Sequence, residues 1–387
     1  REYIHNDIGG QVEKLGRTMW YWYLQAMGKD LSFPEDGYQG EYLREVAAAA
    51  VKKLGEDLKE PDLPRLLKFA LDYIFRENLQ TLEDLGIAFD LVVKESELKR
   101  SGKTSAAIDE LVSKGLTRKK EGALWFAPND EFLEDREAVI IKSNGETTYF
   151  ASDIAYHKEK FVGGYDLVID VFGSNHHGHV PKLMALTRIY GFPPDHFQVL
   201  LYQYVRVKRG QEVVKMSKRA GTYVTAREVL EEVGRDSMIF MLLLTAANTH
   251  VDFDLEQARD TSEKNPVFRV QYAHARCQSI ERKAQNAKRK TTAKNLKLLI
   301  RPDEIRLIKE LAKFPELVLE VSQTYNVQHL PHYLLGLADK FHAFYEKVRV
   351  ISEDKELTQA RLALVKAVQI VLANGLKLMG IEPLKEM

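Results

Sequence analysis

Between residues 138 and 234 short apolar runs alternate with segments of helical spacing, and beyond about residue 235 no convincing strand follows. That switch restricts the fold more than any other feature of the chain. "AVIIKS" (138–143), "DLVIDVFG" (166–173) and "FQVLLYQYVRV" (197–207) are strand candidates, and the second is a continuous apolar run of the kind that parallel strands show. Between and after them lie "SDIAYHKEKFV", "VPKLMALTRIYG", ending at Gly191, and "TAREVLEEVG", which opens with a capping box of Thr225 and Glu228 and stops at Gly234. Strand–helix–strand order predicts a parallel sheet with right-handed crossovers.

Beyond that region, "SMIFMLLLTAA" predicts a buried helix. "LPHYLLGLADKFHAFYEKV" sets Tyr333, Leu337, Phe341, Phe344 and Val348 on one helical stripe, and "ARLALVKAVQIVLANGLKLMG" predicts a second long helix. The expected fold is therefore α/β plus all-α: a Rossmann-like parallel-sheet domain followed by a helical bundle. A length of 387 residues suits two or three domains. The expected division is 1–28, strand, loop and helix of an incomplete first half; 29–134, an insertion; 135–260, the second half; and 261–387, the bundle. Within the insertion, "ENLQTLEDLGIAFDLVVKESEL" predicts a helix and then an extended segment, "AIDELVSKGL" a helix, and "TRKKEGALWFA" a hairpin turning at Glu121-Gly122.

A chain with 45% hydrophobic and 29% charged residues is of globular composition. Its single cysteine, Cys277, excludes a disulfide framework and a cysteine-rich zinc site, and fits a reducing compartment such as the cytoplasm. No apolar run reaches the roughly 18 residues that span a bilayer. Net charge is zero, but residues 261–300 carry ten Lys/Arg against two Asp/Glu. Such a run is usually a solvated linker or helix face, and it is also what a phosphate-backbone contact looks like.

"VVKMSKRAGTYVT" (213–225) places Lys215, Met216, Ser217 and Lys218 on a loop after a strand that doubles back near Arg209-Gly210. Ligands of open α/β sheets bind beyond the carboxyl ends of strands. Two lysines there can neutralise charge on a transferring phosphoryl group; a solvated basic turn is the plain alternative. The string resembles the Lys-Met-Ser-Lys-Ser signature of class I aminoacyl-tRNA synthetases, with Arg219 in place of the commonest fifth residue. "REYIHNDIGGQ", "FPEDGYQGEY", "EGALWF", "TTYFASDIAYHKEK", "FGSNHHGHVPKL", "VDFDLEQA" and "NPVFRVQYAHAR" then resemble bacterial-type arginyl-tRNA synthetase, from the first residue to the last. "MGIEPLKEM" resembles that family's carboxyl terminus.

The resemblance implies ATP, with Mg2+, arginine and tRNA(Arg) as ligands, and a monomer. It makes Lys215 and Lys218 the catalytic cations and puts Met216 and Ser217 beside them at ATP. His176-His177-Gly178-His179 imitates the other class I signature but lies in the wrong half of the fold. It matches instead a separate Gly-x-x-His-His-Gly segment, which implies ATP contacts for Gly173, His176 and His179. A helix cap, buried neutral histidines and a metal site are the competing readings; His176 and His179 lack a third ligand nearby, so no metal is expected.

A guanidinium calls for carboxylates and hydroxyls. By resemblance Asp153 pairs with the substrate guanidinium, Tyr149 orients it and Asn175 lines the same pocket. The competing role for Asp153 is to cap a helix starting near Ile154. Phe268, Tyr272 and Arg276, with His274 on a neighbouring turn, offer aromatics and cations for unstacked tRNA bases. The first class I signature and its strand are absent from these residues, so this chain alone is expected not to activate arginine efficiently. A non-catalytic tRNA-binding protein derived from a synthetase is the rival reading.

Overall fold

The computed structural model describes residues 1–133, 137–214, 224–284 and 293–387. The Lys215–Lys218 loop and residues 285–292 of the basic run lie outside the described residues. The chain divides into two units. Of the described residues, the first holds those within 1–83 and 87–203, and the second those within 84–86, 204–214 and 224–387.

The first unit opens with β1 (Glu2–His5) and α1 (Gly10–Ala26), then α2 (Tyr42–Leu54), a 3-10 turn at Glu60–Asp62 and α3 (Leu63–Asp84). These three helices bury a core of Met19, Tyr23, Leu43, Val46, Leu66 and Ala70. β2 (Leu91–Lys94) pairs parallel with β1, Tyr3 opposite Val92. After α4 (Glu95–Arg100) and α5 (Lys103–Ser113) come β3 (Thr117–Lys120) and β4 (Ala123–Phe126), an antiparallel hairpin. It turns at Glu121 and Gly122, both at positive φ, as the sequence predicts.

β5 (Ala138–Ile141) is the strand expected of "AVIIKS", but it pairs antiparallel with β4 instead of joining a parallel sheet. α6 (Tyr149–Val162), β6 (Val168–Gly173), a 3-10 turn (Ser174–His179), α7 (Val180–Ile189) and β7 (Phe197–Tyr202) complete the unit. β6 and β7 run parallel with α7 between them. The continuous apolar run of β6 is not buried on both faces. Val168 and Asp170 are buried, whereas Ile169 and Val171 are exposed, because alternate strand residues face opposite sides. The β1–β2 and β6–β7 pairs are separate sheets among the described residues. Phe126, Ile140, Phe150, Ile154, Leu183, Leu186 and Phe197 form the second core of the unit.

"FQVLLYQYVRV" proves to be two strands, β7 in the first unit and a further one in the second. β8 (Val205–Arg209) is separate from β7 and turns at Gly210 into the short β9 (Glu212–Val213). Gly210 has φ 58°, a left-handed backbone that calls for glycine. α8 (Ala226–Val233) carries the predicted Thr225–Glu228 capping box, and α9 (Arg235–Leu243) follows. A strand then appears where none was expected: β10 (Val251–Asp254) lies parallel to β8. Its "VDFD" alternation is too short to register as a period, and pairing with β8 decides it.

The remainder is helical among the described residues: α10 (Leu255–Arg259), α11 (Pro266–Lys283), α12 (Ala293–Leu296), α13 (Pro302–Ala312), α14 (Phe314–Thr324), α15 (His329–Lys347) and α16 (Lys355–Leu378). Tyr333, Leu337, Phe341, Phe344 and Val348 are all buried in one core with Leu364, Val368 and Leu372. Each such side chain contributes about 1.5–3 kcal/mol of burial. No helix of the described residues is long and apolar enough to cross a membrane.

Candidate functional site

Helix α6 begins at Tyr149, five residues before the start near Ile154 that the sequence suggests. Its N-cap, Thr148, has extended backbone and spends its hydroxyl on the Val139 carbonyl, at 2.8 Å. Asp153 therefore sits in the second turn and caps nothing, which corrects the capping alternative. Tyr149 and Asp153 are instead stacked one turn apart on one helix face. Tyr149 is 47% exposed. Its hydroxyl hydrogen-bonds the imidazole of His179, and His179 Nδ1 lies 3.9 Å from Asp153 Oδ2.

His179 thus joins the two residues expected to hold arginine, although by resemblance it was expected at ATP. It ends the 3-10 turn 174–179, so the segment "SNHHGH" is itself a tight turn ahead of α7. His176 lies between the rings of Phe172 (5.9 Å) and His179 (5.7 Å). Asn175 is exposed, and its Oδ1 lies 2.6 Å from where a Cβ on Gly173 would stand, so a larger residue there would displace the Asn175 side chain. Ser174 Oγ donates to Gln203 Oε1 at 3.0 Å.

Burial pushes the Asp153 carboxyl up to about 6; the positive charge of His157 opposes the push and Glu95 adds to it. Burial, with Lys182 and His176 nearby, holds the His179 imidazole down at about 4. Burial, with Asp153 below it, raises the Tyr149 phenol to about 12. At neutral pH the cluster is thus a carboxylate, a neutral imidazole and a phenol. That set can accept hydrogen bonds from a planar cation without a competing charge of its own.

Lys182 on α7 escaped the sequence reading. Its ammonium stands 5.0 Å over the Phe150 ring, and burial lowers its basicity while Asp153 supports it. Also missed were His157 and Asp170, buried behind Asp153; the i, i+4 step from Asp153 to His157 was the available signal. Among the described residues no three His, Cys, Asp or Glu side chains gather as a metal site.

A second constellation lies within the helical unit. Phe268, Tyr272 and Arg276 follow one another at i, i+4 and i+8 on α11. The rings of Phe268 and Tyr272 stack at 6.2 Å, and Tyr272 stacks on His342 of α15 at 5.6 Å. Arg276 hydrogen-bonds the Tyr272 hydroxyl, and its guanidinium lies 4.7 Å from the Tyr272 ring and 4.9 Å from that of Tyr345. Tyr272, Arg276, His342 and Tyr345, with Arg269 and Asp339, line a cleft of about 390 Å3. His274, two residues after Tyr272, points the opposite way: it is buried and its Nδ1 bonds the Leu384 carbonyl at 2.7 Å. A shift of two residues turns a helical side chain by about 200°, so His274 cannot share that face.

The family "tRNA synthetases class I (R), catalytic domain" matches residues 24–259, and "DALR anticodon binding domain" matches residues 270–387. The arginine–tRNA ligase of Desulforamulus reducens is 40% identical over 388 residues, covering 98% of this chain and 69% of its own length. That of Citrifermentans bemidjiense is 41% identical, covering 98% and 70%. A solved Campylobacter jejuni chain assigned to the arginyl-tRNA synthetases superposes with a TM-score of 0.86 at 28% identity, over all of this chain and 84% of that one. The Thermus thermophilus arginyl-tRNA synthetase, at 23% identity and a TM-score of 0.76, shares the fold.

Proposed function

Because the chain belongs to the arginyl-tRNA synthetase family, we propose that it serves as an arginine–tRNA ligase whose amino-acid pocket is built on the first two turns of α6. The observation that carries this reading is the convergence of Tyr149, Asp153 and His179. Asp153 receives the guanidinium, a bidentate match that an ammonium cannot copy. The Tyr149 hydroxyl, held by His179, sets the plane in which that cation lies. Asn175, exposed on the turn after β6, completes the polar lining.

The reaction follows from those placements. The arginine α-carboxylate attacks the α-phosphorus of ATP, which arrives with its magnesium; arginyl-adenylate forms and pyrophosphate leaves. A terminal ribose hydroxyl of tRNA(Arg) then attacks the activated carbonyl and releases AMP. Gly173, His176 and the 3-10 turn line the nucleotide side by resemblance, and Lys215 and Lys218, with Met216 and Ser217, take the pyrophosphate charge. In the helical unit, Phe268, Tyr272 and Arg276 offer stacking faces and a cation to unstacked tRNA bases.

The test is equilibrium binding of arginine to the wild-type chain and to Asp153→Ala. Loss of binding by at least about 100-fold on removing a partly buried ion-pair partner is the expected result. Unchanged affinity would remove Asp153 from the pocket. Binding to tRNA(Arg), set beside the same tRNA with its anticodon replaced, tests the helical unit. A preference for the native anticodon supports base recognition, and equal, strongly salt-dependent binding leaves phosphate contacts alone.

A further inference from the structure

The proposed chemistry leaves a group of buried charges behind Asp153 without a part. Asp170, 7% exposed, sits on β6 with its backbone beside Val199 of β7. Its Oδ1 accepts from Lys160 Nζ at 2.5 Å and its Oδ2 from His157 Nε2 at 2.7 Å. The other nitrogen of His157, Nδ1, donates to the Asp153 carbonyl at 2.7 Å. Against the upward push of burial, the bonds and charges of His157 and Lys160 hold the Asp170 carboxyl down at about 2, so it acts as an acceptor. The ring of His157, only 2% exposed, therefore faces an acceptor at each nitrogen, and both bonds form together only when each nitrogen carries a hydrogen.

We propose that His157 is a positioning residue for arginine: it ties the second turn of α6 to β6 and supplies the positive charge that keeps the Asp153 carboxylate ionised where the guanidinium docks. The inference rests on the reading that Asp153 receives arginine. Two arguments carry it. The strut joins the two elements that bear the pocket, since Asp170 lies three residues before Gly173 and the turn of Asn175 and His179. His157 also opposes the upward push of burial on the Asp153 carboxyl more than Lys160 does.

The other groups around that carboxylate do not replace it. Lys160 of α6 is spent on Asp170. Glu95 of α4 is negative and bonded to Ser152, and Lys99 answers its charge at 3.3 Å. On the far side His179 is held neutral, Tyr149 stays protonated, His176 faces His179, and Lys182 of α7 is a cation weakened by burial.

The experiment titrates binding of radiolabelled arginine to the wild-type chain, H157Q and D170N from about pH 5.5 to 8.5. Glutamine keeps a donor but cannot carry the charge, and D170N leaves the ring but removes the carboxylate that holds its charge. The proposal expects the midpoint of affinity against pH to rise by about one unit in both variants. H157Q then loses about tenfold in affinity at pH 6.5 and only about threefold at pH 8.5. Weaker binding with an unmoved midpoint would overturn it, since a merely structural residue weakens binding equally at every pH. Loss of cooperative melting in both variants would overturn it too. A wild-type chain that fails to bind arginine at any pH overturns the pocket assignment itself, and this inference with it.

Discussion

The hydroxyl of Tyr149, the first residue of α6, meets the imidazole of His179, the last residue of the turn before α7. Because the imidazole is neutral above about pH 4, it orients the phenol without adding charge to the pocket. Tyr149→Phe should weaken arginine binding by about tenfold, the worth of one hydrogen bond in a polar pocket, and leave the melting temperature almost unchanged. Calorimetric titration of the variant checks this, and a loss of stability equal to the loss of affinity would contradict it.

Asp153 titrates near 6 in the empty site, and a bound guanidinium favours its ionised form. Arginine affinity should therefore be constant above about pH 7 and fall about tenfold per unit below pH 6, with proton release on binding near the midpoint. Asp153→Asn should bind weakly with a flat profile. Titration in buffers of different ionisation enthalpy reads both.

The same group predicts a stability effect of definite sign. The folded carboxyl titrates near 6, above its unfolded value of about 3.9. Stability is therefore fully present below the unfolded value and declines as pH rises through the folded one. Asp153→Asn removes that cost. It should stabilise the empty chain by about 1–3 kcal/mol at pH 8 and not at all below about pH 4. Thermal melts at the two pH values decide the matter.

In the helical unit, Arg361 Nε bonds Glu304 Oε1 at 2.8 Å, with side chains 8% and 0% exposed. Arg361 also donates to the Arg349 carbonyl at 2.9 Å. Arg361→Ala leaves a fully buried carboxylate unmatched and should cost about 3–5 kcal/mol. Replacing both partners by Leu and Met should recover most of that loss. Urea unfolding of the single and double variants measures the difference.

Gly375 of α16 faces Leu334 of α15, and a Cβ there would lie 2.5 Å from Leu334 Cδ2. Gly375→Ala would gain about 1 kcal/mol of helix propensity but overpack the contact by about 1–3 kcal/mol. Net destabilisation is the expected outcome of a denaturant titration. Gly375→Ala with Leu334→Val should relieve it.

Some of the architecture was legible because one rule governed each element alone. The stripe of α15 needed only helical spacing, the hairpin at Glu121-Gly122 only positive φ, and α8 only its capping box. β10 was missed because four residues carry no measurable period, and β7 and β8 were merged because nothing local marks the break at Gln203-Tyr204. In the pocket, Tyr149 and Asp153 could be singled out through the motif around them. The partnership of Tyr149 with His179 could not, since it joins residues 30 apart across a strand.

By itself the sequence determined which residue types are present, their local spacing and the family they resemble. Spacing of three or four residues and short polar motifs act within one turn of backbone. What only the tertiary structure decided is the environment of each charge. Asp153, Asp170 and Asp260 are the same residue type; burial raises the first, two cations hold down the second, and hydrogen bonds from Ser262 at the surface lower the third. Desolvation and neighbouring charge depend on what folds against a side chain, and those partners arrive from distant parts of the chain.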